Sequence, residues 1–273
     1  MADTTRRVPE TIFRNHVLST GHRVVAEEFA IALSYGGSTE AVMMATPADL
    51  EDFAVGFSLS EGIVENLGEV TGIDMLETPG GIDLQIGLKD DVDRALRARR
   101  RVRAGPVGCG LCGVESIEEA LKPAADVSKA SARLTARDIS DAMRALSANQ
   151  PLNSETRAVH AAGFYVAGRG MVAIREDVGR HNALDKLIGH LARQGFSGAD
   201  GAVVMTSRIS VELIQKTAKL GAGVLIGISA PTALGIDMAG RAGMTLVALA
   251  RGEDFEIFTG PGRIKLGAEA DAA

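Results

Sequence analysis

Residues 201–251 read GAVVMTSRISVELIQKTAKLGAGVLIGISAPTALGIDMAGRAGMTLVALAR. Three runs in this stretch, Ala202–Met205, Val224–Ile228 and Thr245–Ala250, are almost continuously apolar. That is the pattern of strands covered on both faces, because a half-exposed strand alternates apolar with polar residues. Between them, residues 211–221 and 232–243 carry helical spacing, each closed by glycine. Strand, helix, strand, helix, strand in this order predicts parallel strands joined by crossover helices in a layered α/β domain. In open α/β sheets ligands bind beyond the carboxyl ends of the strands. Those ends carry Thr206-Ser207-Arg208-Ile209-Ser210, Ser229-Ala230-Pro231-Thr232 and Arg251-Gly252-Glu253. Helices also need caps, so Ser207, Ser210 and Thr232 read equally as plain N-caps.

Just upstream, GFYVAGRGMVAIRED (163–177) is a hairpin. NALDKLIGHLARQG (182–195) is an amphipathic helix through Leu184, Leu187, Ile188 and Leu191, stopped by Gly195. At its mouth stands REDVGRHN, residues 175–182. A helix N-terminus favours anions. Arg175, Arg180 and His181 are therefore candidates to hold phosphate, and Glu176 and Asp177 to orient them or to hydrogen-bond a sugar or a purine edge. The alternative is an ion-pair cluster.

The N-terminal half reads as a smaller α+β domain over residues 23–104, after a polar tail over 1–22. VVAEEFAIALSYGGSTEAVMMAT (24–46) predicts two strands around Gly36-Gly37, and GIDMLETPGGIDLQIGL (72–88) a second hairpin around Pro79-Gly80-Gly81. Between them a helix is expected, with Thr46 as cap, Pro47 in the first turn, Leu50, Phe53, Ala54 and Phe57 as its apolar stripe, and Gly62 at its end. VESIEEALKPA (114–124) and TARDISDAMRALSAN (135–149) also read as helices.

The two cysteines of the 273-residue chain, Cys109 and Cys112, sit in VGCGLCGVES, 107–116, directly after six arginines at 94, 97, 99, 100, 101 and 103. A structural zinc site needs four ligands, and no histidine pairs with this C-x-x-C at metal spacing. A thioredoxin-type dithiol opens a helix after a strand, whereas glycines at 108, 110 and 113 predict a mobile loop over 105–113. A zinc deaminase needs H-x-E ahead of P-C-x-x-C, and here the cysteines precede His160, which has no such glutamate. No zinc is expected. A Gly-flanked thiol preceded by arginines suits a sulfur carrier, since the thiolate is the reactive form and cations stabilise it.

Composition closes off other classes. A net charge of −6 argues against nucleic-acid binding. No apolar run of membrane-spanning length and no signal-peptide core is present, so a cytoplasmic protein with reduced thiols is expected.

The motifs CGLCG, REDVGRHNALDKLIG, SRISVELIQK, SAPTALGIDMA and GMTLVALARG, with ATPADLEDFAVGFSLSEGIV near the N-terminus, resemble the FdhD family from about Val25 to Ile264. The resemblance implies a sulfur carrier needed for active formate dehydrogenase. Cys109 would receive persulfide sulfur from a cysteine desulfurase, with Cys112 a second thiol, and pass it to the molybdenum of a bis-molybdopterin guanine dinucleotide cofactor. The family's cofactor segment matches Ala248, Leu249, Ala250, Arg251, Gly252 and Glu253. With Arg175, Asp177, Arg180, His181, Ser207, Arg208, Ser229 and Thr232 it makes the expected cofactor-binding set. The implied fold has a cytidine-deaminase-like C-terminal domain over 114–267 without the zinc, followed by a tail over 268–273. The resemblance also implies a homodimer, guanine nucleotides as mimics of the cofactor's ends, and the formate dehydrogenase catalytic subunit as partner. Two departures from the family pattern flank this region, at Thr156-Arg157-Ala158-Val159 and at Ala250.

Overall fold

The structure, a computed structural model, describes residues 3–103 and 121–267. Cys109, Cys112, the expected loop over 105–113, the tail over 268–273 and most of the helix expected over 114–124 lie outside the described residues.

Strands β8 (His160–Val166), β9 (Gly170–Asp177), β10 (Ala202–Met205), β11 (Val224–Gly227), β12 (Thr245–Arg251) and β13 (Asp254–Thr259) form one sheet in the order β13-β12-β11-β10-β8-β9. The expected alternation is present: β10, β11 and β12 are parallel, with helix α6 (Val211–Lys219) between the first two and α7 (Ala233–Arg241) between the second two. Hairpins complete both sides, so β8 and β13 run antiparallel to their neighbours.

The sheet is covered on both faces, because successive strand residues point opposite ways. Val203, Met205, Leu225 and Leu246 pack against α6, α7 and helix α5 (Arg180–Arg193). Val204, Val224, Ile226 and Val247 pack against helix α3 (Ala136–Ala148). A capping box starts α3, with the side chains of Thr135 and Asp138 each taking up the other's backbone amide. A short helix, α4 (Pro151–Thr156), leads into β8.

The smaller unit holds a four-stranded sheet in the order β4-β3-β6-β5, from β3 (Phe29–Tyr35), β4 (Ser38–Ala45), β5 (Val70–Thr78) and β6 (Gly81–Leu88). Both expected hairpins are there. Helix α1 (Leu50–Ser60) packs Phe53, Ala54 and Phe57 against Ile31, Leu33, Tyr35, Leu84 and Ile86. Its other face lies on α5. An added Cβ at Gly56 would collide with the carbonyl of Asp185, and one at Gly189 with that of Asp52, so the two helix backbones touch there. Helix α2 (Asp90–Arg103) carries the arginine run.

Two expectations change. Residues expected as a polar tail form a ribbon of β1 (Thr5–Arg14) and β2 (Val17–Ala26), paired in ten-residue register. Its turn, Asn15-His16, has both φ values positive, at 49° and 62°, the geometry of a tight hairpin. The ribbon reads as polar because a two-stranded sheet exposes both faces. Helix α1 begins after Asp49, which sits at φ 54° with no side-chain cap. Thr46 instead bonds to Val178 and Lys186.

Candidate functional site

The carboxyl ends of β10, β11 and β12 come together as the topology requires. Thr206 joins this end to the start of β8: its amide donates to the Ala161 carbonyl at 3.1 Å, and its hydroxyl accepts from the Ala161 amide at 2.9 Å. The turn after β10 meets the turn after β11, with the Ile209 amide on Ala230 O and the Thr232 amide on Ile209 O. The Leu249 amide reaches the Ser229 carbonyl, and Arg251 Nε donates to Ile228 O at 3.3 Å. His160 at the start of β8 pairs in register with Asp177 at the end of β9, which brings the mouth of α5 to the same end.

Around this rim three arginines have no acidic partner among the described residues. Arg208 and Arg251 are exposed, Arg180 is half-buried, and none forms an ion pair among the described residues. Arg157, exposed and left-handed at φ 59°, stands at the entry to β8. Burial, and then Arg180, push the pKa of His160 down, with Asp177 opposing. Burial also pushes His181 down, against the pull of Glu212, whose Oε2 lies 2.8 Å from Nε2 without hydrogen-bond alignment. In the segment expected to bind the cofactor, Leu249 has φ 52°, within a register shift between Ala248 and Arg251. A leucine in that region is strained by roughly 1–2 kcal/mol, and such residues gather at ligand sites. Ala248 and Ala250 are buried beneath it, while Gly252 and Glu253 are exposed.

Other expected members serve the fold. Thr232 is a plain N-cap, its hydroxyl accepting from the Gly235 amide. Ser207 is buried with its hydroxyl on Arg208 O. Ser210 precedes α6 with its Oγ buried and unpartnered.

Arg175, Glu176 and Asp177 are turned away from the rim. Arg175 grips Asp52 of α1 through Nε at 2.9 Å and Nη2 at 2.7 Å. Arg193 holds the other oxygen of Asp52. Glu176 accepts from the amides of Leu152 and Asn153, at the start of α4. Asp177 is fully buried, 2.6 Å from Lys186 Nζ, and accepts from the amides of Thr46 and Gly179 and from Asn182 Nδ2. Thr46 O accepts from Lys186, and its hydroxyl accepts from the Val178 amide, so Thr46 is a tie between the two units. A second buried pair, Asp185 with Lys216 at 2.9 Å, is joined by Ser60 and Glu61. Burial works against the charge of Lys216, but Asp185 and Glu61 outweigh it and hold its pKa above the usual lysine value. This seam escaped sequence reading. Its available signal was Gly56 and Gly189 inside helices, which mark close backbone approach.

No group of three or more metal-ligating side chains occurs among the described residues. No helix among them is long and apolar enough to cross a membrane.

A mixed sheet covered on both faces, with a rim of arginines that have no ion pair among the described residues where its parallel strands end, defines a layered α/β protein whose exposed site suits an anionic ligand. Residues 26–265 match the FdhD/NarQ family, and the chain belongs to that family. It is 58% identical to the sulfur carrier protein FdhD of Agrobacterium fabrum, over 96% of each chain. It is 54% identical to the protein of the same name from Brucella abortus, over 89% of this chain and 90% of that one. A crystal structure of a protein assigned as a formate dehydrogenase accessory protein of Desulfotalea psychrophila superposes with a TM-score of 0.77 at 26% identity, covering 96% of this chain and all of that one.

Proposed function

We propose that this chain is a sulfur carrier, a sulfurtransferase that works in the maturation of formate dehydrogenase. Its relatives carry that name at high identity over nearly the whole length. The observation that carries the reading is the rim: Arg208 and Arg251 at the strand ends and Arg180 at the adjoining helix start form no ion pair among the described residues, beside the left-handed Leu249. Guanidinium groups match phosphate oxygens in geometry as well as charge. We infer that the rim takes the diphosphates of a bis-molybdopterin guanine dinucleotide substrate, and guanine nucleotides as its mimics. Because Glu176 and Asp177 already accept backbone amides, reading of the guanine edge falls to other groups, with Glu253 the exposed carboxylate of the cofactor segment.

The sulfur chemistry is assigned to Cys109. Its thiolate attacks the terminal sulfur of a cysteine desulfurase persulfide; the new S–S bond forms as the old one breaks and the desulfurase thiolate leaves. In delivery the Cys109 S–S bond breaks, Cys109 leaves as thiolate, and the sulfur bonds to the molybdenum, which supplies two electrons. Partners in this reading are the desulfurase, the formate dehydrogenase catalytic subunit and a second copy of the chain, in a cytoplasm that keeps both thiols reduced.

Incubation with a cysteine desulfurase and cysteine, followed by mass spectrometry, should show a gain of one sulfur on Cys109. Cys109→Ser should abolish maturation of formate dehydrogenase. Full dehydrogenase activity with Cys109→Ser would instead favour a chaperone that binds the cofactor without sulfur chemistry.

A further inference from the structure

The opposite end of the large sheet carries a second cationic feature. A cavity of about 320 Å³ lies where β12 begins, lined by Ser128, Arg133, Gly243, Gly260, Gly262 and Arg263. Arg263 is 8% exposed. Its Nη1 donates to Gly243 O at 2.9 Å and Thr245 Oγ1 at 3.4 Å, and its Nη2 to Val127 O and Ser128 O at 2.9 and 2.8 Å. These bonds fix the guanidinium but bring no negative charge. Its Nε is buried beside Gly223, which is not part of the lining, and has no hydrogen-bond partner among the described residues. Arg133, the second cation of the lining, is exposed and uses one nitrogen on the carbonyls of Ala130, Ser131 and Ala132. Neither arginine forms an ion pair among the described residues. Asp126 is directed at the Ser128 amide, 2.8 Å away.

A buried charge without a counter-charge is costly, and proteins ordinarily pair it. Here the surroundings make it worse: burial, and then Arg133, pull the pKa of Arg263 down, with no acid opposing. An anion in the cavity would supply what is missing. The lining has no aromatic side chain to stack on a base and no carboxylate to repel a negative group. Glycines at three of its six positions leave backbone open to close approach.

We propose that this cavity is an oxyanion site, separate from the strand-end rim, that binds a phosphate-class group between Arg133 and Arg263. The group comes either as free inorganic phosphate or as the terminal phosphoryl of a larger ligand.

The test uses the full chain and inorganic phosphate, at constant ionic strength against chloride. Phosphate should raise the melting temperature saturably, and phosphorus NMR should show a bound fraction in exchange. Arg133→Ala is the informative variant, because Arg133 is exposed and its loss leaves the Arg263 bonds intact. It should weaken phosphate binding at least tenfold while GDP binding at the rim is unchanged. Arg263→Lys should weaken it further. GDP competing with phosphate in an Arg180→Ala, Arg208→Ala background would identify a phosphoryl group as the source; absence of competition there would identify free phosphate. An equal phosphate effect in parent and Arg133→Ala, or no saturable effect in the parent, would overturn the site. Either result leaves the sulfur-carrier reading standing, since that reading does not use this cavity.

Discussion

Two cationic regions of this protein, five residues apart in sequence at their nearest, behave in opposite ways. In the seam between the units, Arg175, Arg193, Lys186 and Lys216 each meet a carboxylate, and Asp52, Asp177 and Asp185 are buried among them. On the rim, Arg180, Arg208 and Arg251 meet none among the described residues. The five-residue step from Arg175 to Arg180 crosses from one regime to the other. Charges of one type thus do two jobs, decided by where the chain places acids. The seam brings Asp52 and Glu61 from α1 against α5 and α6, and holds two units in one orientation. The rim keeps its arginines available. The strained Leu249, at φ 52°, belongs with the rim, at the end of the last parallel strand.

The sharpest way to break this contrast is to remove a seam cation. Lys186 has no exposed surface and bonds both Asp177 and Thr46 O. Lys186→Met strands a buried carboxylate, and losing one partner of a buried pair costs about 3–5 kcal/mol. Chemical denaturation should show a loss of that order. Gly56→Ala should come close, at about 3 kcal/mol for a side chain forced between touching helix backbones. If both variants denature like the parent, the seam does not hold the units together.

Removing a rim cation should do the reverse. Arg180→Ala or Arg208→Ala should leave the melting temperature within a degree or two, since surface substitutions away from special features are usually near neutral. Each should weaken GDP binding by roughly ten- to a hundredfold, the loss of a charge-assisted hydrogen bond of about 1.5–3 kcal/mol. Calorimetry at two salt concentrations sharpens the test, because exposed charges are screened. Unchanged affinity in both variants would remove the rim from the proposed binding site.

The sequence shows one regime better than the other. The alternation of apolar strands with helices over 201–251 is local, and each strand, helix and turn of it stands where periodicity puts it. The rim follows, since a topological rule names the strand ends without knowledge of partners. The seam depends on pairs separated by more than a hundred residues, Asp52 with Arg175 and Thr46 with Asp177. A single sequence displays no such coupling. That is why REDVGRHN reads from sequence equally as a phosphate-binding unit and as an ion-pair cluster, where the structure puts Arg175, Glu176 and Asp177 into contacts with other elements, and why Thr46 reads as a helix cap. The ribbon over residues 5–26 was hidden for another reason: a sheet exposed on both faces has no apolar side to betray it.

The smallest expected effect lies in the histidines, and it separates the two regions by pH. His160, His181 and His190 all have pKa values below the ordinary histidine value, burial being the first cause in each. For a group depressed on folding, the unfolded chain binds more protons in the window just below the ordinary value of about 6.5. Stability therefore falls as pH drops from neutrality through that window. The three contributions have different neighbours. His190 lies in the seam, where Arg175 pushes it down and Asp52 opposes. His160 lies on the rim, where Arg180 pushes it down. His160→Gln and His190→Gln should each make the slope of melting temperature against pH shallower. Saturating GDP should then distinguish them, because a bound phosphate offsets Arg180 and raises His160 but leaves the seam as it was. With GDP present the parent should lose the part of the slope that His160→Gln removes and keep the part that His190→Gln removes. Thermal denaturation between about pH 5.5 and 7.5 reads this directly. A slope untouched by His160→Gln, or a GDP effect that survives in His160→Gln at full size, would show that the ligand's charge does not reach the rim.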